Sequence, residues 1–248
     1  MFRQFRDWWT MKLAKAVIAR LGLLVHGFSK GVSVGWLGKS NNKIYIDGYS
    51  LLLTKYSEEQ IKVLVLEGRQ IWVEESSAEK NKVAAEHWNA ESNLCVLLYV
   101  LILLNRFKVV VETGVANGVT TRVIMRALER TNGTLHSFDI LESSRNVYTG
   151  KGNWKFHKLE PNRKIQHQLE KEANLIGPCD IWLHDSNHGQ TWQSFEYSLA
   201  WNLLAPGGVL LSDDVDASPA WGEASISYLD NPAIIFDTRK FIGVSVKN

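Results

Sequence analysis

The chain has little of what would decide its class outright. Cysteine is scarce: two in 248 residues, Cys95 and Cys179, far apart and without metal-ligand spacing. That removes cysteine-built metal clusters and a disulfide framework, and leaves two buried thiols in a reducing compartment as the expectation. No apolar run is long enough for a bilayer; the longest uncharged stretch, Ser92 to Asn105, suits a core helix. Charge of one sign is lacking too. A net charge of +2, with no aromatic N/D-P-P-Y/F target motif, gives no reason to expect nucleic acid as a partner. Repeats and low-complexity tracts are absent. What is there is an ordinary globular composition, 45% hydrophobic and 22% charged, long enough for one large α/β domain and an N-terminal extension.

The extension reads as mainly helical over residues 1–90, ahead of a domain over 91–248. Phe2, Phe5, Trp9, Leu13, Ala16 and Val17 recur at helical spacing. Arg3, Arg6, Lys12, Lys15 and Arg20 are scattered among them, whereas a signal peptide would keep its charge at the start. A cytoplasmic protein is the expectation. Such a stripe is expected to pack on the domain or on a second copy in a homo-oligomer; peripheral membrane contact is the lesser alternative. Gly31 to Asn42 reads as loop. A short strand and helices follow over 43–92. Ser57-Glu58-Glu59-Gln60 has the form of a capping box, predicting a helix from Ile61 towards Arg69. Residues 76–104 read as further helix.

From Val109 onward, strands alternate with helices. Strands are expected at 109–112, 135–138, 154–158, 181–184, 208–212, 232–237 and 241–246, and helices at about 119–130, 163–175, 190–203 and 218–229. This order predicts a mostly parallel sheet with helices on both faces. Only Thr238-Arg239-Lys240 joins the last two strands. So short a link cannot cross a sheet, which makes the pair antiparallel.

The stretch Val109-Val110-Val111-Glu112-Thr113-Gly114-Val115-Ala116-Asn117-Gly118 is a β-branched run, an acid and a glycine-spaced turn, followed by a helix start at Val119-Thr120-Thr121. Glycines let the backbone approach a ligand, and the helix N-terminus turns free N–H groups towards it. The phosphate fingerprint G-x-G-x-x-G is absent; the spacing is E-x-G-x-x-x-G, with an acid that suits a cationic ligand rather than a pyrophosphate. In this form the chain resembles the class I methyltransferases, whose Rossmann-like sheet also has one antiparallel last strand. The resemblance spans roughly residues 90–248. It implies S-adenosylmethionine as cofactor, with Glu112, Gly114, Ala116, Asn117 and Gly118 at its amino-acid end. Ala116 stands where the family usually has a glycine.

Asp139 ends the next strand, where an acid can accept ribose hydroxyls. Leu159, Glu160 and Asn162 follow strand three, where the family often places adenine contacts, though no clear motif marks them. Asp180-Ile181-Trp182-Leu183-His184-Asp185-Ser186-Asn187-His188 is similar to the D-x-x-x-x-D-x-x-H pattern of a branch related to small-molecule and sugar O-methyltransferases. Asp185 is expected beside the transferable methyl and His188 on the loop, as general base. Pro206-Gly207-Gly208 leads to Asp213-Asp214, similar to the family's P-G-G-x-x-x-x-D-D signature. Asp185, Asp213 and Asp214 would converge, and three carboxylates repel unless protonated or bridged by a cation. The resemblance implies Mg²⁺ or another divalent cation there; the third ligand is often Asn where this chain has Asp214. His184 is expected to be structural. Trp88, Trp192 and Trp221 lie near the same edge, where aromatics can stack on an acceptor.

The sequence thus points to an S-adenosylmethionine-dependent methyltransferase acting on a small-molecule or sugar hydroxyl, with metal assistance open. The rivals are an inactive or regulatory binding protein on the same scaffold and, less favoured, an NAD-type oxidoreductase.

Overall fold

A computed structural model describes residues 42–45, 47–77, 89–237 and 240–248. The expected N-terminal amphipathic helix, all of the Gly31 loop but Asn42, and Trp88 lie outside them.

Strand β1 (Lys43–Tyr45) is followed by α1 (Gly48–Leu52), α2 (Glu58–Ser77) and α3 (Ser92–Asn105). The alternating unit then runs β2 (Val109–Thr113), α4 (Val119–Thr131), β3 (Thr134–Asp139), a 3₁₀ turn (Glu142–Asn146), β4 (Asn153–Lys158), α5 (Ile165–Ile176), β5 (Cys179–His184), α6 (Gln190–Leu203), β6 (Leu204–Ser212), α7 (Ala220–Ser227), β7 (Ala233–Asp237) and β8 (Lys240–Val246). The strands form one sheet in the order β1-β7-β8-β6-β5-β2-β3-β4. Strand β8 runs antiparallel to both neighbours, β6 and β7, while every other pairing is parallel. The short link therefore does what its length requires.

Side chains alternate across the sheet with the strand period of two. Val110, Ile181, Leu183, Leu211 and Ile242 face a core shared with α1 to α4. Val111, Trp182, Leu210, Ile234 and Phe241 face the core under α5 to α7. Helix α3 is apolar on all sides, and its residues from Leu94 to Ile102 are all buried, as a helix sandwiched between a sheet and a second helix layer must be. Cys95 and Cys179 are buried free thiols.

Residues 43–77 are built into the same body. Strand β1 pairs with β7, and Leu52, Ile61, Val65 and Ile71 join the core of the sheet. The capping box forms: Ser57 N–H donates to Gln60 Oε1 at 2.8 Å, and Gln60 N–H to Ser57 Oγ at 3.4 Å. The helix it starts runs on past Arg69 to Ser77. What extends it is a buried ion pair, Arg122 Nε to Glu75 Oε2 at 2.7 Å, which anchors the end of α2 against α4. Helix α3 has no side-chain cap of its own. Asp237, at the end of β7, supplies one, accepting from Asn93 N–H at 3.0 Å and Leu94 N–H at 2.8 Å.

On β3, His136 stacks beside His157 of β4, with Nδ1 and Nε2 3.0 Å apart. Burial, then the charges of His157 and Lys155, lower His136 to about 4. The folded state therefore resists protonation that the unfolded chain accepts near pH 6.5. The stability this confers is present above pH 6.5 and is lost as pH falls towards 4, by up to about 3 kcal/mol. Thermal melts of His136→Gln should lose less stability than wild type between pH 7 and pH 4.5. Parallel pH profiles of the two proteins would refute this.

Candidate active site

The site is built at the carboxyl edge of the sheet, where β2, β3, β5 and β6 end. After β2 the chain turns under the loop that leaves β5. Gly114 sits at φ +82°, and a Cβ there would lie 1.9 Å from the carbonyl oxygen of Asp185. Asp185 N–H in turn donates to Thr113 O at 2.9 Å. Gly118 closes the turn at φ +71°, against Val147. Ala116 takes a left-handed φ of 46° despite its methyl group. Its strain is offset by Asp139, whose Oδ2 accepts from Val115 N–H at 2.8 Å and Ala116 N–H at 3.2 Å.

Glu112 lies beneath this turn rather than at its surface. It is fully buried. Oε1 accepts from Thr120 Oγ1 at 2.5 Å, and Oε2 from Thr121 Oγ1 and Ser137 Oγ, both at 2.7 Å. Burial raises its carboxyl above the usual range against the pull of these hydroxyls. Glu112 thus ties β2 to the first turn of α4 and to β3. Asn117 donates from Nδ2 to Asn89 Oδ1 at 2.9 Å, and its carbonyl accepts from Arg122 Nη1 at 2.8 Å. Arg122 therefore pins the turn from below, a role that its place in a helix gave no signal for.

Asp139 stands at the tip of β3. Its Oδ1 accepts from Leu141 N–H at 2.8 Å, and Oδ2 also receives Ser144 Oγ at 3.4 Å. The ribose position predicted from sequence is thus also the clasp of the glycine turn. Beyond β4, Leu159 is buried and donates to Asp139 O at 2.8 Å. Glu160 and Asn162 are exposed and bonded to Gln168.

Across the edge, Asp185, Asp213, Asp214 and His188 do come together. His188 Nε2 lies 3.9 Å from Asp185 Oδ1 and 3.8 Å from Asp214 Oδ2. Its Nδ1 is buried and has no hydrogen-bond partner among the described residues. Burial, then neighbouring His184, lower its pKa to about 4, so the imidazole is neutral near pH 7. His184 is fully buried, with Nδ1 2.9 Å from Glu196 Oε2 but off the axis of a straight N–H bond. Glu196 also accepts from Thr113, Trp182, Ser186 and Trp192. Burial opposes its charge, yet His184 and these donors hold it below the usual range.

One residue here was read as a linker. Lys240, the first residue of β8, reaches into the acidic group. Its Nζ donates to Asp213 Oδ2 at 2.5 Å and lies 3.9 Å from Asp214 Oδ2. Burial works against its charge, but Asp213, Asp185 and Asp214 outweigh that and raise it above the ordinary lysine value. Burial, then the charge of Asp213, push Asp185 well above the usual carboxyl range. The metal set expected from Asp185, Asp213 and Asp214 does not fit this geometry. Asp213 Oδ2 is already bonded to an ammonium, whose charge repels a second cation. Among the described residues no group of three or more His, Cys, Asp or Glu is disposed to hold a metal.

The aromatic expectation is corrected in part. Trp221 is fully buried beneath Gly243 and cannot stack on a ligand. Trp192 is half-buried, and its indole N–H donates to Ser186 Oγ and Glu196 Oε2.

Comparison with known proteins bears on the fold. Residues 111–215 match a family model described as a methyltransferase domain, a span running from β2 through the acidic group. A methyltransferase of Podospora anserina bound to S-adenosylhomocysteine superposes with a TM-score of 0.54 at 11% identity, over 78% of this chain and 97% of that one. The fold is the Rossmann-like fold of the class I methyltransferases. An O-methyltransferase from Bacillus cereus in complex with the same product is also similar to this chain, at 13% identity, TM-score 0.49, and 81% and 96% coverage. A mycinamycin-pathway methyltransferase in complex with Mg, S-adenosylhomocysteine and mycinamycin VI aligns at 20% identity and TM-score 0.39, over 46% of this chain; the chain spans only 32% of that protein. No curated protein sequence matches. No helix among the described residues is long and apolar enough to cross a membrane.

Gly114→Ala should destabilise the protein by roughly 2–4 kcal/mol in urea unfolding, since it combines a positive φ with a backbone clash. A change below about 0.5 kcal/mol would show that the two loops do not meet this closely.

Proposed function

We propose that the protein is an S-adenosylmethionine-dependent O-methyltransferase acting on a hydroxyl of a small molecule or sugar. The observation that carries this reading is the pairing, at one sheet edge, of a glycine turn that only a bare backbone can make with a neutral, unpartnered imidazole. The first is a cradle for a cofactor and the second a base for an acceptor. The residues fit the cofactor by their chemistry: Asp139, bonded to the glycine turn, offers a carboxylate for ribose hydroxyls beside it.

When bound, S-adenosylmethionine supplies a methyl group already activated on a sulfonium. The chain's own residues then have three tasks. Gly114, Ala116, Asn117 and Gly118 hold the amino-acid end, with Glu112 bracing them from beneath through Thr120 and Thr121. Asp139 accepts the ribose hydroxyls, exchanging bonds it now receives from its own loop. His188 takes the proton of the acceptor hydroxyl as its oxygen bonds to the methyl carbon, the carbon–sulfur pair remaining on sulfur. A neutral imidazole at physiological pH can do this; an imidazolium cannot. His184 lies edge-on to His188, ring centroids 5.4 Å apart, and supports its ring from the buried side.

Calorimetric titration tests the cofactor. S-adenosylhomocysteine should bind saturably, NAD should not, and Asp139→Ala should weaken binding by about tenfold or more. Failure of the folded wild type to bind would overturn the reading. With a panel of catechol, phenol and sugar acceptors, His188→Ala should lower methyl transfer by about 10²–10⁴-fold while leaving S-adenosylhomocysteine affinity within about threefold. Equal loss of both would assign His188 to structure instead.

A further inference from the structure

The sequence pattern asks for a cation between Asp185, Asp213 and Asp214, and the structure answers with one from the chain itself. We propose that Lys240 takes the place of a divalent cation at the acceptor site, fixing the carboxylates that flank His188 so that the site works without a metal ion. The proposal rests on the methyl-transfer reading of the same residues.

Four observations carry it. The Lys240 side chain is only 11% exposed and Asp213 only 1%, so their 2.5 Å contact is a buried charge pair rather than a surface one. Such a pair holds its geometry, because releasing either partner leaves an uncompensated charge out of water. The ammonium also lies 3.9 Å from Asp214 Oδ2, the oxygen that stands 3.8 Å from His188 Nε2. Ammonium, carboxylate and imidazole therefore form a chain of contacts leading to the expected acceptor position. The backbone of Lys240 is fixed as well, since it pairs with Asp237 as the first rung of the β7–β8 ladder. Finally, Asp185 faces the same imidazole, its Oδ1 3.9 Å from His188 Nε2. A divalent ion entering here would have to displace the ammonium, at close range to a like charge. Lys240 touches neither acceptor nor cofactor in this reading. It is a positioning residue, acting on His188 through Asp214.

The test is a Mn²⁺ titration of the full chain, followed by electron paramagnetic resonance, with and without S-adenosylhomocysteine. Wild type should show no saturable site below about 1 mM. Lys240→Met frees the carboxylates and should gain a single site at least about tenfold tighter, with a Mn²⁺-dependent rise in melting temperature that a merely structural lysine would not produce. Lys240→Arg should stay blind to Mn²⁺. A one-to-one site in wild type that disappears in Asp214→Asn would overturn the proposal, and that arm does not depend on the lysine variants folding. So would a folded Lys240→Met that binds Mn²⁺ no better than wild type. Failure of S-adenosylhomocysteine to bind, with these metal results intact, would instead count against the methyl-transfer reading.

Discussion

Carboxylates buried at the carboxyl edge of a parallel sheet are the constraint around which this molecule is arranged. Glu112, Asp139, Asp213 and Asp237 lie at or just past the ends of their strands and are all less than a tenth exposed; Glu196 is fully buried close by on α6. Each costs several kcal/mol to bring out of water unless its charge is met. The structure meets each differently. Glu112 takes three hydroxyls, Asp139 and Asp237 take backbone N–H groups, Glu196 takes indole and hydroxyl donors beside an imidazole, and Asp213 takes an ammonium. Asp185, beside His188, is the one whose charge is most opposed, by burial and by Asp213. The arrangement makes the edge rigid, because every acid is bonded to an element other than its own strand.

These bonds also explain how the fold produces a site. The Asp139 clasp sets the left-handed turn at Ala116, and Glu112 sets the start of α4. Asp237 replaces the missing cap of α3, the all-apolar helix that fills one core. The glycine turn, the loop after β5 and the hydrophobic core are thus coupled through acids rather than through packing alone.

Much of the fold was legible because its signals are local. The β-branched runs, the glycine turn and the Ser57 capping box each act within a few residues, and the element positions follow from them to within a few residues. The reversal of β8 was legible from the length of its link. What was not legible is held by partners far apart in the chain. Glu75 and Arg122 are 47 residues apart, Asp237 and Leu94 143, and Lys240 and Asp213 27. Helix α2 was taken as too short because nothing near Ser77 announces Arg122. Glu112 was read as facing a ligand because an acid in a glycine motif gives no hint of the hydroxyls beneath it. Asp185, Asp213, Asp214 and His188 were brought together correctly by motif, yet the cation among them was sought in solution instead of in the sequence.

Lys240 illustrates why. In Thr238-Arg239-Lys240 it looks like one more polar linker residue, and in a parallel strand the first residue would be at the edge away from the site. Strand β8 is reversed. Its first residue therefore lies at the carboxyl edge, opposite Asp237 and beside the end of β6. The one antiparallel strand gives the sheet something no parallel strand can offer: a residue that starts a strand at the functional edge, with its backbone fixed in the ladder and its side chain free to reach across. A long, charged side chain at that point meets whatever acids the neighbouring strands end in. Topology and charge thus account for each other here: the acids at the ends of β5 and β6 need a cation, and the reversal of β8 delivers one.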